Sequence, residues 1–129
     1  MVYTEVTAAE LVKTLNEISN NLIIDCRSFL VYNKGHVSGS LNIRCNSIMR
    51  RRSKGLFALE NAITNADKRK DFKDGKYAMV VVYDDQGGKL QEIENSPSKC
   101  KRTLAMVLDV LDQNAPSATQ IAYMNCKYL

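Results

Sequence analysis

Strand-like and helix-like segments take turns along this chain, and that alternation predicts an α/β domain built on a mainly parallel sheet. Three observations carry the prediction. Leu22-Ile23-Ile24 is an unbroken apolar run closed by Asp25, the pattern of a strand buried on both faces. Tyr77 to Tyr83, with Val80-Val81-Val82 at its centre, repeats that pattern and is the clearest strand of the chain. From Ser98 onward Leu104, Val107, Leu108 and Leu111 fall on one stripe, which marks an amphipathic helix.

The remaining elements follow in order. Thr7-Ala8-Ala9-Glu10 has the form of a capping box, and Leu11, Leu15 and Ile18 continue it at helical spacing. That helix should give out near Asn20-Asn21. After the 22–24 strand, Ser28 is placed to cap a short helix through Tyr32, closed by Gly35. Ser40 to Ile43 is a weak strand. Asn46 or Ser47 can cap a helix that runs into Arg50-Arg51-Arg52 and ends at Gly55. Residues 58 to 74 read as two helical pieces, broken near Thr64-Asn65 and stopped at Gly75. A polar loop runs from Asp84 to Pro97, Ala115-Pro116-Ser117 ends the last helix, and Gln120 to Met124 forms a final strand.

With 129 residues, 45% hydrophobic and 25% charged, the chain has the profile of a single globular domain able to bury a core unaided. No apolar run approaches the ~20 residues of a membrane helix, and no charged-then-apolar leader opens the chain. A reducing compartment is therefore expected, and Cys26, Cys45, Cys100 and Cys126, scattered without a Cys-x-x-Cys pair, suit buried inert thiols. A further helix ordinarily follows the last strand of an α/β unit. The single domain spanning residues 1–129 is accordingly expected to be cut from a longer protein.

Charge placement is more informative than the net charge of +4. Arg44 to Lys54 carries five cations and no anion, with Ile48-Met49 before the arginines and Leu56-Phe57-Ala58-Leu59 after them. Concentrated cations repel one another and pack poorly, so a fold gains little from them. Apolar flanks give a partner something to grip as well as attract. The segment reads as a docking element for an acidic, grooved protein surface. The bland alternative is a solvated helix face, which is what charge runs usually are. Nucleic acid is disfavoured because no aromatic side chains interleave with the arginines, and no membrane partner is expected. A nuclear-import role is compatible with docking, since both need exposed cations.

Asp25-Cys26-Arg27, Tyr32, and Gly35-His36-Val37-x-Gly39-Ser40-x-Asn42-Ile43 resemble the rhodanese-type signature, which couples the end of one strand to the start of the next. Adding Arg50 to Gly55 narrows the resemblance to the N-terminal rhodanese-like domain of the MAP kinase phosphatases among the dual-specificity phosphatases, and most to their inducible nuclear branch. The resemblance spans about Val6 to Tyr123. It implies a five-stranded mainly parallel sheet flanked by helices on both faces. It further implies a kinase-binding module of a phosphatase, nuclear, with cytoplasmic as the alternative. On it, Arg50, Arg51 and Arg52, joined by Lys54, form the kinase-binding motif, with Phe57 and Leu59 at the matching apolar positions. The chain departs from the family at Asn125-Cys126-Lys127-Tyr128, where a pair of glycines is usual.

An active rhodanese or related phosphatase carries a cysteine at the start of the loop after the Tyr77–Tyr83 strand, where backbone N–H groups lower its pKa. Asp84 stands there, followed by Asp85, and two carboxylates would repel phosphate or thiosulfate. No His-Cys-x-x-Gly-x-x-Arg loop exists, because His36, the sole histidine, precedes Val37. Catalysis by this chain alone is not expected, nor is a cofactor. Cys26 reads as a small apolar plug at a strand end rather than a nucleophile. A metal site from Cys26, His36 and Cys45 lacks the close ligand pairs of structural zinc. Asp25 and Arg27 are expected to pair and to bond backbone near His36, holding two segments together. The competing functions are an active sulfurtransferase and a stand-alone basic interaction or import module.

Overall fold

The computed structural model describes residues 3–17, 19–43, 58–84 and 103–124. Five strands, β1 (Thr4–Val6), β2 (Asn21–Asp25), β3 (Leu41–Asn42), β4 (Met79–Tyr83) and β5 (Gln120–Met124), form one sheet in the order β1-β5-β4-β2-β3. Every pairing is parallel. The helices are α1 (Ala8–Glu17), α2 (Phe29–Lys34), α3 (Leu59–Ala62), α4 (Ala66–Lys73) and α5 (Thr103–Asn114). The expected α/β class and parallel sheet are found, with helices on both faces.

Burial explains why the strands are continuous apolar runs. All five residues of β4, between β2 and β5, are buried, as are four of the five in each of those neighbours. Successive side chains point to opposite faces. Leu22, Ile24, Val80, Val82, Ile121 and Tyr123 face a core completed by α3, α4 and α5 through Ala62, Phe72, Leu104 and Leu108. Ile23, Val81, Tyr83, Ala122 and Met124 face the other side, where Leu11 and Leu15 of α1 and Val37 pack. A polar residue at either set of positions would have no water to face.

Local signals account for the helix ends. Thr7 caps α1 by accepting from the Glu10 N–H at 3.1 Å, and its hydroxyl donates to Glu10 Oε1 at 3.2 Å. Ser28 caps α2 through the Val31 N–H, and Asn65 caps α4 through the Lys68 N–H at 3.0 Å. Lys34 rather than Tyr32 ends α2, with the Gly35 N–H bonded to the Tyr32 carbonyl. After α4, Gly75 adopts φ 75°, a left-handed conformation that side chains resist. A Cβ there would meet Pro116 only at an ordinary 3.7 Å, so backbone conformation rather than space calls for glycine.

One feature differs from the sequence reading. Strand β1 was not evident from its residues, being three residues long at the sheet edge with one of them, Val6, buried. Its position is reinforced from the side by Tyr3, whose hydroxyl donates to Asp109 Oδ1 on α5 at 3.1 Å. The clearest helix begins at Thr103 within the described residues, so the proposed start at Ser98 and the helix over 46–55 lie outside them.

Candidate functional site

In a sheet ordered β1-β5-β4-β2-β3 the chain leaves β2 toward one edge and β4 toward the other. The carboxyl ends of these two neighbours therefore flank the switch point at which open parallel sheets commonly bind ligands. Register pairs Asp25 with Tyr83, which brings Asp25-Cys26-Arg27 beside Tyr83-Asp84.

A closed polar network occupies that position. The Asp25 carboxylate, fully buried, accepts from the Arg27 backbone N–H at 2.8 Å and from Arg27 Nε and Nη2 at 3.0 and 2.7 Å. Its Oδ2 also accepts from the Tyr83 hydroxyl at 2.7 Å. Arg27 Nη2 continues to the Gly35 carbonyl at 2.6 Å, and the Tyr83 hydroxyl oxygen accepts from the Val37 N–H at 3.1 Å. Asn42 Nδ2 closes the far side, donating to the carbonyls of Asp25 and Arg27 at 3.1 and 2.9 Å. The carboxylate thus fastens the ends of β2 and β4, and through Arg27 and Tyr83 it reaches the α2–β3 connection. The expected bond from Arg27 to backbone beside His36 is present.

The electrostatics follow from that geometry. Charge-assisted bonding to Asp25 holds the Arg27 guanidinium charged far above its ordinary range. Burial pushes the Tyr83 hydroxyl up, with the Asp25 charge adding to the effect, so the phenol stays a neutral donor. Arg27 Cζ lies 5.4 Å from the Tyr83 ring centre, within cation–π range. Next to the network, His36 Nδ1 donates to the Tyr32 carbonyl at 2.8 Å while the two rings stack at 3.7 Å. The Tyr32 hydroxyl ties onward to the Ser40 carbonyl at 2.7 Å. Through Arg27 to Gly35 and Asn42 to Asp25 and Arg27, with Tyr32 bracing Ser40, signature residues join the β2 end to the α2–β3 connection and to β3.

Cys26 is buried, part of the core beside Ile24 and Ile43, and its N–H bonds the Tyr83 carbonyl at 2.8 Å. Asp84, at the β4 end, is buried too. Among the described residues no three His, Cys, Asp or Glu side chains converge as metal ligands would. Tyr83 is the member that sequence reasoning missed. Its only signal was a tyrosine ending an otherwise aliphatic strand.

The docking residues divide differently. Arg50, Arg51, Arg52, Lys54 and Phe57 lie outside the described residues. Leu59 is described, and it opens α3 only 6% exposed, packed in the core that Ala62, Ile63 and α5 share. Leu59, expected as an apolar docking position, is therefore a core residue in the free chain.

A parallel sheet of this order with the Asp25–Arg27 fastening is a rhodanese-like scaffold, and the chain belongs to the rhodanese-like domain family, whose profile matches residues 7–112. Among curated proteins it is similar to Dual specificity protein phosphatase 1 of Mus musculus, 37% identical over 107 residues, which is 83% of this chain and 28% of that protein. The Homo sapiens protein of the same name is 36% identical over the same shares. Dual specificity protein phosphatase 4 of Rattus norvegicus is 35% identical over 95 residues, 73% of this chain and 23% of that protein. The chain spans about a quarter of the length of these relatives. A solved structure of an uncharacterized protein from Saccharomyces cerevisiae shares the fold, with TM-score 0.54 at 14% identity, covering 95% of this chain and 86% of that one.

Proposed function

We propose that this chain is a non-catalytic docking domain that binds a MAP kinase and brings it to an attached dual-specificity phosphatase domain, which dephosphorylates and inactivates it. The observation that carries the reading is the pattern of similarity. Most of this chain matches phosphatases, yet it accounts for only 28% of the mouse relative's length. A module that is most of one chain and a minor part of an enzyme suits recruitment. Asp84, at the loop position where an active family member carries its cysteine, supports assigning the chemistry elsewhere. Tethering would raise the local concentration of the kinase at the distant active site. A nuclear setting accords with the basic segment.

Arg50, Arg51, Arg52 and Lys54 supply attraction on this reading, and Phe57 supplies grip. Exposed ion pairs contribute ~0.2–1 kcal/mol each, so four give at most ~4 kcal/mol. Micromolar affinity corresponds to about 8 kcal/mol net of association costs. A buried Phe57 adds ~1.5–3 kcal/mol. The cations then govern on-rate, salt dependence and orientation, and apolar contact governs residence time.

Titration calorimetry of the chain against purified MAP kinases tests the proposal directly. Saturable binding together with blank sulfurtransferase and phosphatase assays is expected, and turnover by the chain alone would overturn it. Within the complex, Phe57→Ala should chiefly raise the dissociation rate. Stopped-flow traces showing only slower association would contradict the division of labour between charge and contact.

A further inference from the structure

Helix α2 buries none of its six residues, and Phe29 and Leu30 lie 64% and 74% exposed at its start. Adjacent large apolar side chains left in water serve no core. Their placement is informative. Asn42 Nδ2 bonds the Arg27 carbonyl at 2.9 Å and the Ile43 N–H bonds the Asp25 carbonyl at 3.2 Å, so the chain enters the 44–57 segment beside residue 27. Helix α2 begins two residues after Arg27, so Phe29 and Leu30 follow closely on the residue whose carbonyl Asn42 holds.

Charge argues for one partner across both. The sequence has no Asp or Glu between Asp25 and Glu60, while it carries Lys34, Arg44, Arg50, Arg51, Arg52 and Lys54. Lys34 lies four residues after Leu30, on the same helical face, and is exposed. Helix α2 therefore presents apolar surface edged by positive charge, within the anion-free stretch that contains the arginines. Leu59, expected as an apolar docking position, is buried in the core of the free chain, which leaves room for another apolar contact.

We infer that Phe29 and Leu30 form a second, apolar contact for the same acidic, grooved protein partner that takes the arginines, with Lys34 at its rim. This rests on the docking reading. Burial of the pair would lengthen residence rather than speed encounter.

Binding of the full 129-residue chain to purified MAP kinases, measured by anisotropy across a salt series, tests the inference. Phe29→Gln/Leu30→Gln should weaken affinity on the order of tenfold through faster dissociation, with the salt dependence of the unaltered chain retained. Leu30→Gln alone should lose roughly threefold, a fallback should the double variant melt early. Unchanged affinity in the α2 variants, alongside loss in the Arg50→Ala/Arg51→Ala/Arg52→Ala variant, would overturn the α2 contact and leave docking standing. Unchanged affinity in both would overturn docking and the α2 contact together. A change in sedimentation of the free chain without a change in kinase affinity would assign the patch to a second copy and also overturn it.

Discussion

Replacing Arg50, Arg51 and Arg52 together by alanine should weaken MAP kinase capture more than about tenfold and leave thermal melting unchanged. Three adjacent cations raise the self-repulsion of any fold that holds them close, so their removal relieves energy instead of withdrawing support. On the partner's side each arginine offers a planar donor fork suited to carboxylates. Salt dependence separates this role from a packing role. Interactions between exposed charges are largely screened beyond a Debye length, ~8 Å at physiological ionic strength and shorter as salt rises. The unaltered chain should therefore lose affinity as salt rises, and the triple variant should respond far less. Single substitutions carry a further test. On a helix three consecutive residues fan over about 200°, so a flat partner would rank them unequally. Equal losses from each single variant would require a concave partner surface or an unwound segment. Full affinity in the triple variant would end the docking hypothesis.

Much of the scaffold was legible because its signals are local. Thr7 and Ser28 are caps that announce themselves within three residues, and the runs Leu22-Ile23-Ile24 and Val80-Val81-Val82 allow little except buried strand. What escaped depended on distant partners. Strand β1 exists because Thr4–Val6 pairs with Ala122–Met124, and three residues alone carry no period to read. Tyr83 joins the polar network across 58 residues of chain, and nothing near it in sequence says so. Leu59 is a different case. Leu59, Ala62 and Ile63 sit at i, i+3 and i+4, the spacing of a core-facing helix, but proximity to the arginines made Leu59 resemble the flank of a docking motif. Helical spacing should outrank nearness in sequence when an apolar residue could serve either a core or a partner.

The largest loss of stability should come from Asp25→Ala. Its carboxylate is fully buried and receives Arg27 through backbone, Nε and Nη2 as well as the Tyr83 hydroxyl. Removing it strands a guanidinium and a buried phenol at once, and leaves the Arg27 bond to Gly35 without the contact that aims it. Breaking a buried ion pair from one side costs ~3–5 kcal/mol, a large fraction of the ~5–15 kcal/mol that holds a domain folded. In melting temperature the drop should be on the order of 10 °C or more. Two milder variants locate the source of the effect. Asp25→Asn keeps an acceptor but drops the charge, so it should fall between alanine and the unaltered chain. Tyr83→Phe removes one donor to Asp25 and one acceptor for the Val37 N–H, and should cost about 1–3 kcal/mol. Urea denaturation with an unchanged slope would place the loss in the folded state. If Asp25→Ala cost no more than Tyr83→Phe, the carboxylate would not be the point at which β2, β4 and the α2–β3 connection are fastened.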